Sequence, residues 1–347
     1  MQPTNDQPIQ TERIAIIGDG QMALVLAELL VTMSKNVRLW GPFPEHVEQL
    51  IAKRPASVRL PDLAIPDAID ITHDDAAILT DCDIVINAIP TQYIRPVWQR
   101  LKPYYQTTTH LISVSKGIEE ATLLAPLEIL ADVLHDDVNL THDMVCVSGP
   151  TIATELARHL PATVVAASQN HPAALATQQL LTTPWLRVYT HDDVIGVEIA
   201  GAVKNVIALA AGMLDGLDFG DNAKSALLAR GLAEITRLGL ALGARPETFF
   251  GVAGVGDLAT TCFSKQGRNR TCGERIGRGE SLDAILQDTA SVVEGIPTTR
   301  AVVQLAAQHE VDMPITRAIH AVLFDGLPVA EAIASLMGRD PKPERIG

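Results

Sequence analysis

Up to about residue 191 the chain alternates short, almost wholly apolar runs with stretches of helical composition, and few architectures satisfy that pattern. Arg13-Ile-Ala-Ile-Ile-Gly18, Asn36-Val-Arg-Leu-Trp40, Asp83-Ile-Val-Ile-Asn-Ala88, Leu111-Ile-Ser-Val114, Met144-Val-Cys-Val147 and Thr163-Val-Val-Ala-Ala167 each read as a strand. A strand without a polar face must be covered on both sides, and helices between such strands supply the cover in a parallel sheet. After about Asp192 the strand-like runs vanish. Residues 194–214, 224–242, 281–286, 298–309, 315–324 and 329–337 read instead as helices rich in alanine and leucine. The expectation is an α/β, Rossmann-like domain with a mostly parallel sheet over residues 1–191, followed by an all-α domain over residues 192–347.

With 347 residues and 47% hydrophobic content, the chain can fill two such cores. A net charge of -14 argues against a nucleic-acid surface, so a small anionic substrate needs a local nest of cations. The longest apolar run is broken by Glu198 and Lys204, and no integral membrane segment is expected. The polar N-terminal tail lacks a basic and apolar leader pattern, and Cys82, Cys146, Cys262 and Cys272 form no C-x-x-C pair. Reduced thiols in a cytoplasmic protein are the expectation. His73, His110, His142, His171 and His191 read as loop residues at irregular spacing, and no metal site is expected.

Gly18-Asp-Gly20-Gln-Met-Ala23 falls between the first strand and the first helix, where a dinucleotide-binding glycine turn must lie. Gly18 allows the tight turn, Gly20 the approach of a pyrophosphate, and Ala23 close helix packing. A plain strand-to-helix turn is the competing reading. The second strand ends in Leu39-Trp40-Gly41-Pro42, with neither an acid for a ribose diol nor an arginine for a 2′-phosphate. Arg38 and Glu45 flank it and read equally well as surface charges, so the choice between NAD(H) and NADP(H) stays open.

Lys204 is the only charged side chain between Ile199 and Leu214, and an ammonium in such surroundings needs compensation. It either snorkels to water or meets a ligand over the small residues Ala200, Gly201 and Ala208. Lys116 stands just beyond a buried strand, where ligands enter an open α/β sheet. Ser148-Gly149-Pro150-Thr151 ends another strand, and Thr151 taken alone reads as a helix cap. Gly251-Val-Ala-Gly254-Val-Gly256-Asp257 reads as a glycine-rich turn, and Gly267-Arg268-Asn269-Arg270 follows it. The pair fits either phosphate capture or an ordinary surface loop. Asp257 reads as a cap or as the partner of Lys204, and Glu294 after Val292 as the start of a helix.

Taken in order, Ala88-Ile-Pro90, Lys116-Gly-Ile-Glu119, Ser148-Gly-Pro-Thr151, Gly201-Ala-Val-Lys204-Asn205, Gly254-Val-Gly-Asp257, Arg268-Asn269 and Val293-Glu-Gly295, with Leu60-Pro61 and Ala223-Lys-Ser-Ala-Leu, resemble the bacterial NAD(P)-dependent glycerol-3-phosphate dehydrogenase family. The resemblance implies hydride transfer between NAD(H) or NADP(H) and dihydroxyacetone phosphate, giving sn-glycerol 3-phosphate for phospholipid synthesis. It implies that Lys204 is the catalytic acid/base, that Lys116 polarises and positions substrate, and that Asp257 organises Lys204. Arg268 and Asn269 would bind substrate phosphate and cofactor. Gly149, Thr151, Ala153 and Gly267 match positions lining the site, while Gly18, Gly20, Gln21, Met22, Val292 and Glu294 match cofactor contacts.

The chain departs from the family pattern in three places. Gln21-Met22-Ala23 replaces the usual Ser-Trp-Gly, Pro42 replaces an arginine or histidine, and Gly267 replaces a serine. The rival expectations are another two-domain dehydrogenase of the β-hydroxyacid type, acting on a carboxylate, and a nucleotide-binding sensor without turnover. A homodimer is compatible with the helical second half, though no residue requires it.

Overall fold

The structure, a computed structural model, describes residues 12–54, 60, 63–106, 109–134, 144–289, 291–341 and 343–344. The N-terminal tail, Pro61, His142 and, of the C-terminal tail, Lys342 and residues 345–347 lie outside the described residues.

One sheet of eight strands organises the first half, in the order β3-β2-β1-β4-β5-β6-β7-β8. The strands are β1 (Arg13–Ile17), β2 (Asn36–Trp40), β3 (Asp70–Thr72), β4 (Ile84–Asn87), β5 (His110–Ser113), β6 (Val145–Ser148), β7 (Ala162–Ala167) and β8 (Leu186–His191). Strands β1 to β6 run parallel, whereas β7 is antiparallel to β6 and β8 follows β7 in parallel. This is the mostly parallel Rossmann order, and the crevice where it reverses lies beyond the ends of β1 and β4. Ile14, Ala15, Ile16 and Ile17 are all at most 1% exposed because β1 is central and helices cover both faces.

Strands β3 and β8 are absent from the sequence-based expectation. The first has three residues, and the second exposes Arg187 and Tyr189 on alternate positions, so neither forms an apolar run. His110 and His191 lie in strands and His171 opens a helix, rather than sitting in loops.

The helical half is built around Val194–Gly216, which is buried from Gly196 to Leu214. By length and composition this helix would cross a membrane, but 89% of its most apolar stretch is buried inside the protein. An all-round apolar helix is a core helix when other helices surround it. Asp193 caps it, accepting from the Gly196 amide at 3.0 Å, and also accepts from the Arg245 amide at 2.9 Å. Glu234 similarly accepts from the Ile315 and Thr316 amides at 2.6 and 3.1 Å, fixing the start of Pro314–Phe324.

The expected glycine-rich turn is helical. Val252–Gly256 forms a single π-helical turn running directly into the helix Asp257–Phe263, and Arg268–Gly277 is a further helix. Glycine-dense and charged sequence hid both. The glycines are needed for close approach, since a Cβ at Gly254 would lie 2.1 Å from the Phe249 carbonyl oxygen. Where Arg268–Gly277 crosses Val194–Gly216, a Cβ at Gly212 would lie 1.9 Å from the Arg270 oxygen, and one at Gly273 would lie 2.0 Å from the Leu209 oxygen. The two backbones therefore touch. Gly273→Ala is expected to force the helices apart and destabilise the protein by about 1–3 kcal/mol or more, measured by chemical denaturation.

Candidate active site

Two lysines from opposite halves of the fold meet on one carboxylate. Lys116 Nζ, from the loop after β5, donates to Asp257 Oδ2 at 2.7 Å and to the Gly149 carbonyl at 2.9 Å. Lys204 Nζ, from the long helix, donates to Asp257 Oδ1 and to Thr261 Oγ1, the latter at 2.8 Å. Asp257 is 1% exposed and Lys204 7%. The lysine is thus neither snorkelling nor on an open face; its partner directly follows the π-helical turn that carries Gly254 and Gly256. Thr261, one helical turn after Asp257, donates in turn to the Asp257 carbonyl at 2.7 Å.

The approach of the lysines depends on missing side chains. A Cβ at Gly201 would fall 2.9 Å from Ser148 Oγ and 3.6 Å from Lys116 Cγ, so glycine leaves the passage for the Lys116 stem. Gly149 has φ +147°, and a Cβ there would lie 2.8 Å from the Thr163 oxygen. Asn87, fully buried at the end of β4, holds the Lys116 loop. Its Nδ2 donates to Ser113 Oγ at 3.1 Å and Ser115 Oγ at 2.9 Å, and its Oδ1 accepts from Trp98 Nε1 at 2.9 Å.

Burial pushes the Lys204 ammonium down to about 8, with nearby Lys116 adding to the effect and Asp257 opposing it. For Asp257, burial favours the neutral acid, yet the two ammoniums outweigh it and hold the carboxyl below its ordinary value. One carboxylate against two ammoniums leaves a local positive surplus. That is the nest of cations an anionic substrate requires in an acidic protein.

The remaining sequence candidates fall into two groups. Asn269 is turned inward: its Nδ2 donates to Asn205 Oδ1 at 2.8 Å, and its Oδ1 accepts from the Gly295 amide at 2.8 Å. Arg268, the first residue of its helix with Gly267 as N-cap, is exposed and makes no hydrogen bond among the described residues. Thr151 does not cap. Its Oγ1 donates to the Gly149 carbonyl at 3.2 Å, while Ile152 is the N-cap of the short helix Ala153–Leu156.

On the other side, Gly18 has φ +130°, and a Cβ there would lie 2.7 Å from the Ala88 oxygen. A Cβ at Gly20 would meet nothing within 4 Å. Gly20 is the N-cap of Gln21–Thr32 without a side-chain hydrogen bond, so the first-turn amides of a 12-residue helix face an open cradle. This fits a pyrophosphate. Gln21 and Met22 open that helix, and Met22 packs partly into the sheet core. Glu294, after Val292, is the N-cap residue of Gly295–Gln308 and accepts from the Thr91 amide at 2.9 Å. Burial raises its carboxyl to about 7, opposed by the Thr91 amide and Arg268. A Cβ at Gly117 would reach Thr91 Oγ1 at 2.6 Å and Glu294 Oε2 at 3.1 Å, which places Glu294 beside the Lys116 loop.

Sequence reading missed Asn87, Thr91, Ser115 and Thr261. Only Asn87 had a signal, as the lone amide in the run Ile84–Asn87.

An open glycine turn bordering a buried, cation-rich centre suits an oxidoreductase that takes a dinucleotide on one side and a small anionic compound on the other. Similarity to known proteins narrows this class. Residues 13–174 match the N-terminal part, and residues 193–334 the C-terminal part, of NAD-dependent glycerol-3-phosphate dehydrogenase. The glycerol-3-phosphate dehydrogenase [NAD(P)+] of Enterococcus faecalis is 42% identical over 333 residues, covering 96% of this chain and 97% of that protein. That of Prosthecochloris aestuarii is 43% identical over 332 residues, covering 95% and 99%. The crystal structure of glycerol-3-phosphate dehydrogenase from Coxiella burnetii superposes with a TM-score of 0.89 at 34% identity, covering 95% of this chain and 99% of that one. The chain belongs to the NAD-dependent glycerol-3-phosphate dehydrogenase family.

Asp257→Asn is expected to lower the Lys204 pKa further, because burial and Lys116 remain while the opposing carboxylate is gone. A lysine whose folded pKa lies below its unfolded value costs stability that is regained as pH rises between the two. The variant's deficit against wild type should therefore be larger near neutrality than near pH ~10, read by urea unfolding.

Proposed function

We propose that the protein reduces dihydroxyacetone phosphate to sn-glycerol 3-phosphate with NADH or NADPH, reversibly, and so supplies glycerophospholipid synthesis. The observation that carries this reading is the buried Lys116–Asp257–Lys204 centre shared between the halves, together with the names of the relatives. The nicotinamide, when bound, supplies or receives the hydride. Lys204 holds the proton at Nζ and delivers it to the ketone oxygen in reduction, then takes it back in oxidation. Asp257 fixes the direction of that Nζ and keeps the ammonium populated despite burial. Lys116 places a second positive charge where the carbonyl oxygen gains negative charge.

Arg268, whose guanidinium makes no hydrogen bond among the described residues, would take the substrate phosphate, with Asn269 setting the helix end from which it projects. Gly149, Thr151 and Gly267 offer backbone and hydroxyl groups around the same anion. Gly18, Gly20, Gln21, Met22, Ala153, Val292 and Glu294 would hold the dinucleotide. The division falls at about residue 191, with the sheet half taking cofactor and the helical half substrate. A cytoplasmic homodimer is the form in which we expect it to act.

Lys204→Ala is expected to lower kcat by about 10²- to 10⁴-fold while NADH still binds, measured by steady-state kinetics and fluorescence titration. In the wild type, reduction needs the protonated amine, so its rate should fall as pH rises through about 8, and oxidation should rise over the same range. Near-normal turnover of the variant would overturn the role of Lys204.

A further inference from the structure

The segment Ala223-Lys-Ser-Ala-Leu and the second arginine of Arg268-Asn269-Arg270 have no part in these roles. In the structure they meet. Lys224, from the helix Gly220–Ala241, and Arg270, from Arg268–Gly277, share the carboxylate of Asp215 near the end of Val194–Gly216, with Lys224 Nζ on Oδ1 and Arg270 Nη2 on Oδ2. Arg270 Nη1 also lies 3.2 Å from Glu274 Oε2. Lys224 and Arg270 are only 7% and 6% exposed. Lys224 Nζ stands in addition 5.3 Å from the centre of the Phe263 ring, at the end of Asp257–Phe263. The cluster repeats the pattern of the Lys116–Asp257–Lys204 centre, one carboxylate between two cations, and is its neighbour. The buried Cys262 thiol senses both: burial pushes it up to about 12, and Lys204 and Lys224 draw it back.

Replacing a buried ion cluster by apolar residues is often neutral or stabilising, so stability does not account for this one. What it constrains is direction. Arg268 opens its helix with Gly267 as N-cap and without a side-chain capping bond, so no cap fixes that end. Asn269 holds it to Asn205, and Arg270 holds it to Asp215 further along the same helix. These two grips are ~15 Å apart along the helix axis, at ~1.5 Å per residue. One grip is a pivot; two set an orientation. Residues 264–267, which lead into Arg268, are likewise held on both sides, by Lys224 on Phe263 and by Asp215 on Arg270.

We propose that Lys224, Asp215 and Arg270 are positioning residues that aim the Arg268 guanidinium at the substrate phosphate. The phosphate lies away from the reacting carbon, and its binding energy helps the reaction only by holding the ketone at Lys204. That requires a fixed relation between Arg268 and Lys204. Asp215 lies on the helix that carries Lys204, and Arg270 on the helix that Arg268 opens, so their ion pair ties the two together. The inference rests on the dehydrogenase reading for the phosphate and adds the residues through which Arg268 acts.

The test compares kcat/KM for dihydroxyacetone phosphate with that for dihydroxyacetone, which lacks the phosphate, in the full chain. Lys224→Met keeps the bulk of the stem and removes the ammonium. It is expected to lower kcat/KM for dihydroxyacetone phosphate by about 10- to 100-fold and that for dihydroxyacetone by less than about twofold. Lys224→Arg should restore most of the loss. Equal losses on the two substrates mark a merely structural role and overturn the proposal, as does no loss on dihydroxyacetone phosphate. Should Lys224→Met not fold, Phe263→Leu, at an exposed position, decides the matter. It should weaken use of the phosphorylated substrate alone, and an equal or absent effect on both substrates overturns the proposal. A wild type that does not reduce dihydroxyacetone phosphate overturns the dehydrogenase reading and this inference with it, whereas a wild type that does, with variants that leave the ratio unmoved, removes the cluster's role alone.

Discussion

The Asp257 carboxylate, held by two ammonium groups in a nearly dry interior, is the interaction on which the centre depends. Burying any one of the three charges alone would be costly, and each is tolerable because the others are there. The compensation is incomplete in a useful direction. Lys204 stays charged with its pKa brought down to about 8, so a proton leaves it far more readily than it leaves a surface lysine. Because Lys116 comes from the sheet half and Lys204 and Asp257 from the helical half, the centre forms only when the halves are packed together.

That packing is set by backbones in contact. Gly212 and Gly273 let Val194–Gly216 and Arg268–Gly277 cross with no side chain between them, as Gly216 and Gly277 do one turn further on. Lys204 lies on one of these helices, and Arg268 with Asn269 opens the other. Their separation is therefore fixed by main-chain contact instead of by adaptable side chains. Asn269 adds a second constraint, since its amide bridges Asn205, the neighbour of Lys204, to the Gly295 amide next to Glu294.

Much of this architecture was legible in the sequence where a physical rule is strict. Strands buried on both faces cannot hide, and a lone charge in an apolar helix is conspicuous, so the core of the sheet and Lys204 were both found. Edge strands escaped because one face meets water: β8 alternates Arg187 and Tyr189 with buried residues, and β3 is too short to show a period. The π-helical turn Val252–Gly256 and the helix opening at Arg268 escaped because glycine lowers helix propensity, while close tertiary contact at Gly254 and Gly273 leaves no room for a side chain. Thr151 was misread because its hydroxyl turns back to Gly149 and leaves the helix start uncapped. Asn87 and Thr261 act through long-range partners, and nothing in their local sequence announces those partners.

The dinucleotide turn and the lysine centre are also one packed run of backbone. Gly18 closes onto the Ala88 carbonyl because it has no side chain, and the Ala88 amide donates to Ile17 at 2.8 Å. The next carbonyl, that of Ile89, accepts from Ser115 Oγ at 2.6 Å, and the residue after Ser115 is Lys116. A side chain at position 18 would displace Ala88 and Ile89, and through Ser115 it would shift the ammonium that Asp257 holds. The glycine of the turn is thus a constraint on proton chemistry as well as on phosphate binding. The loop after β4 is the part through which the two sites must be built together.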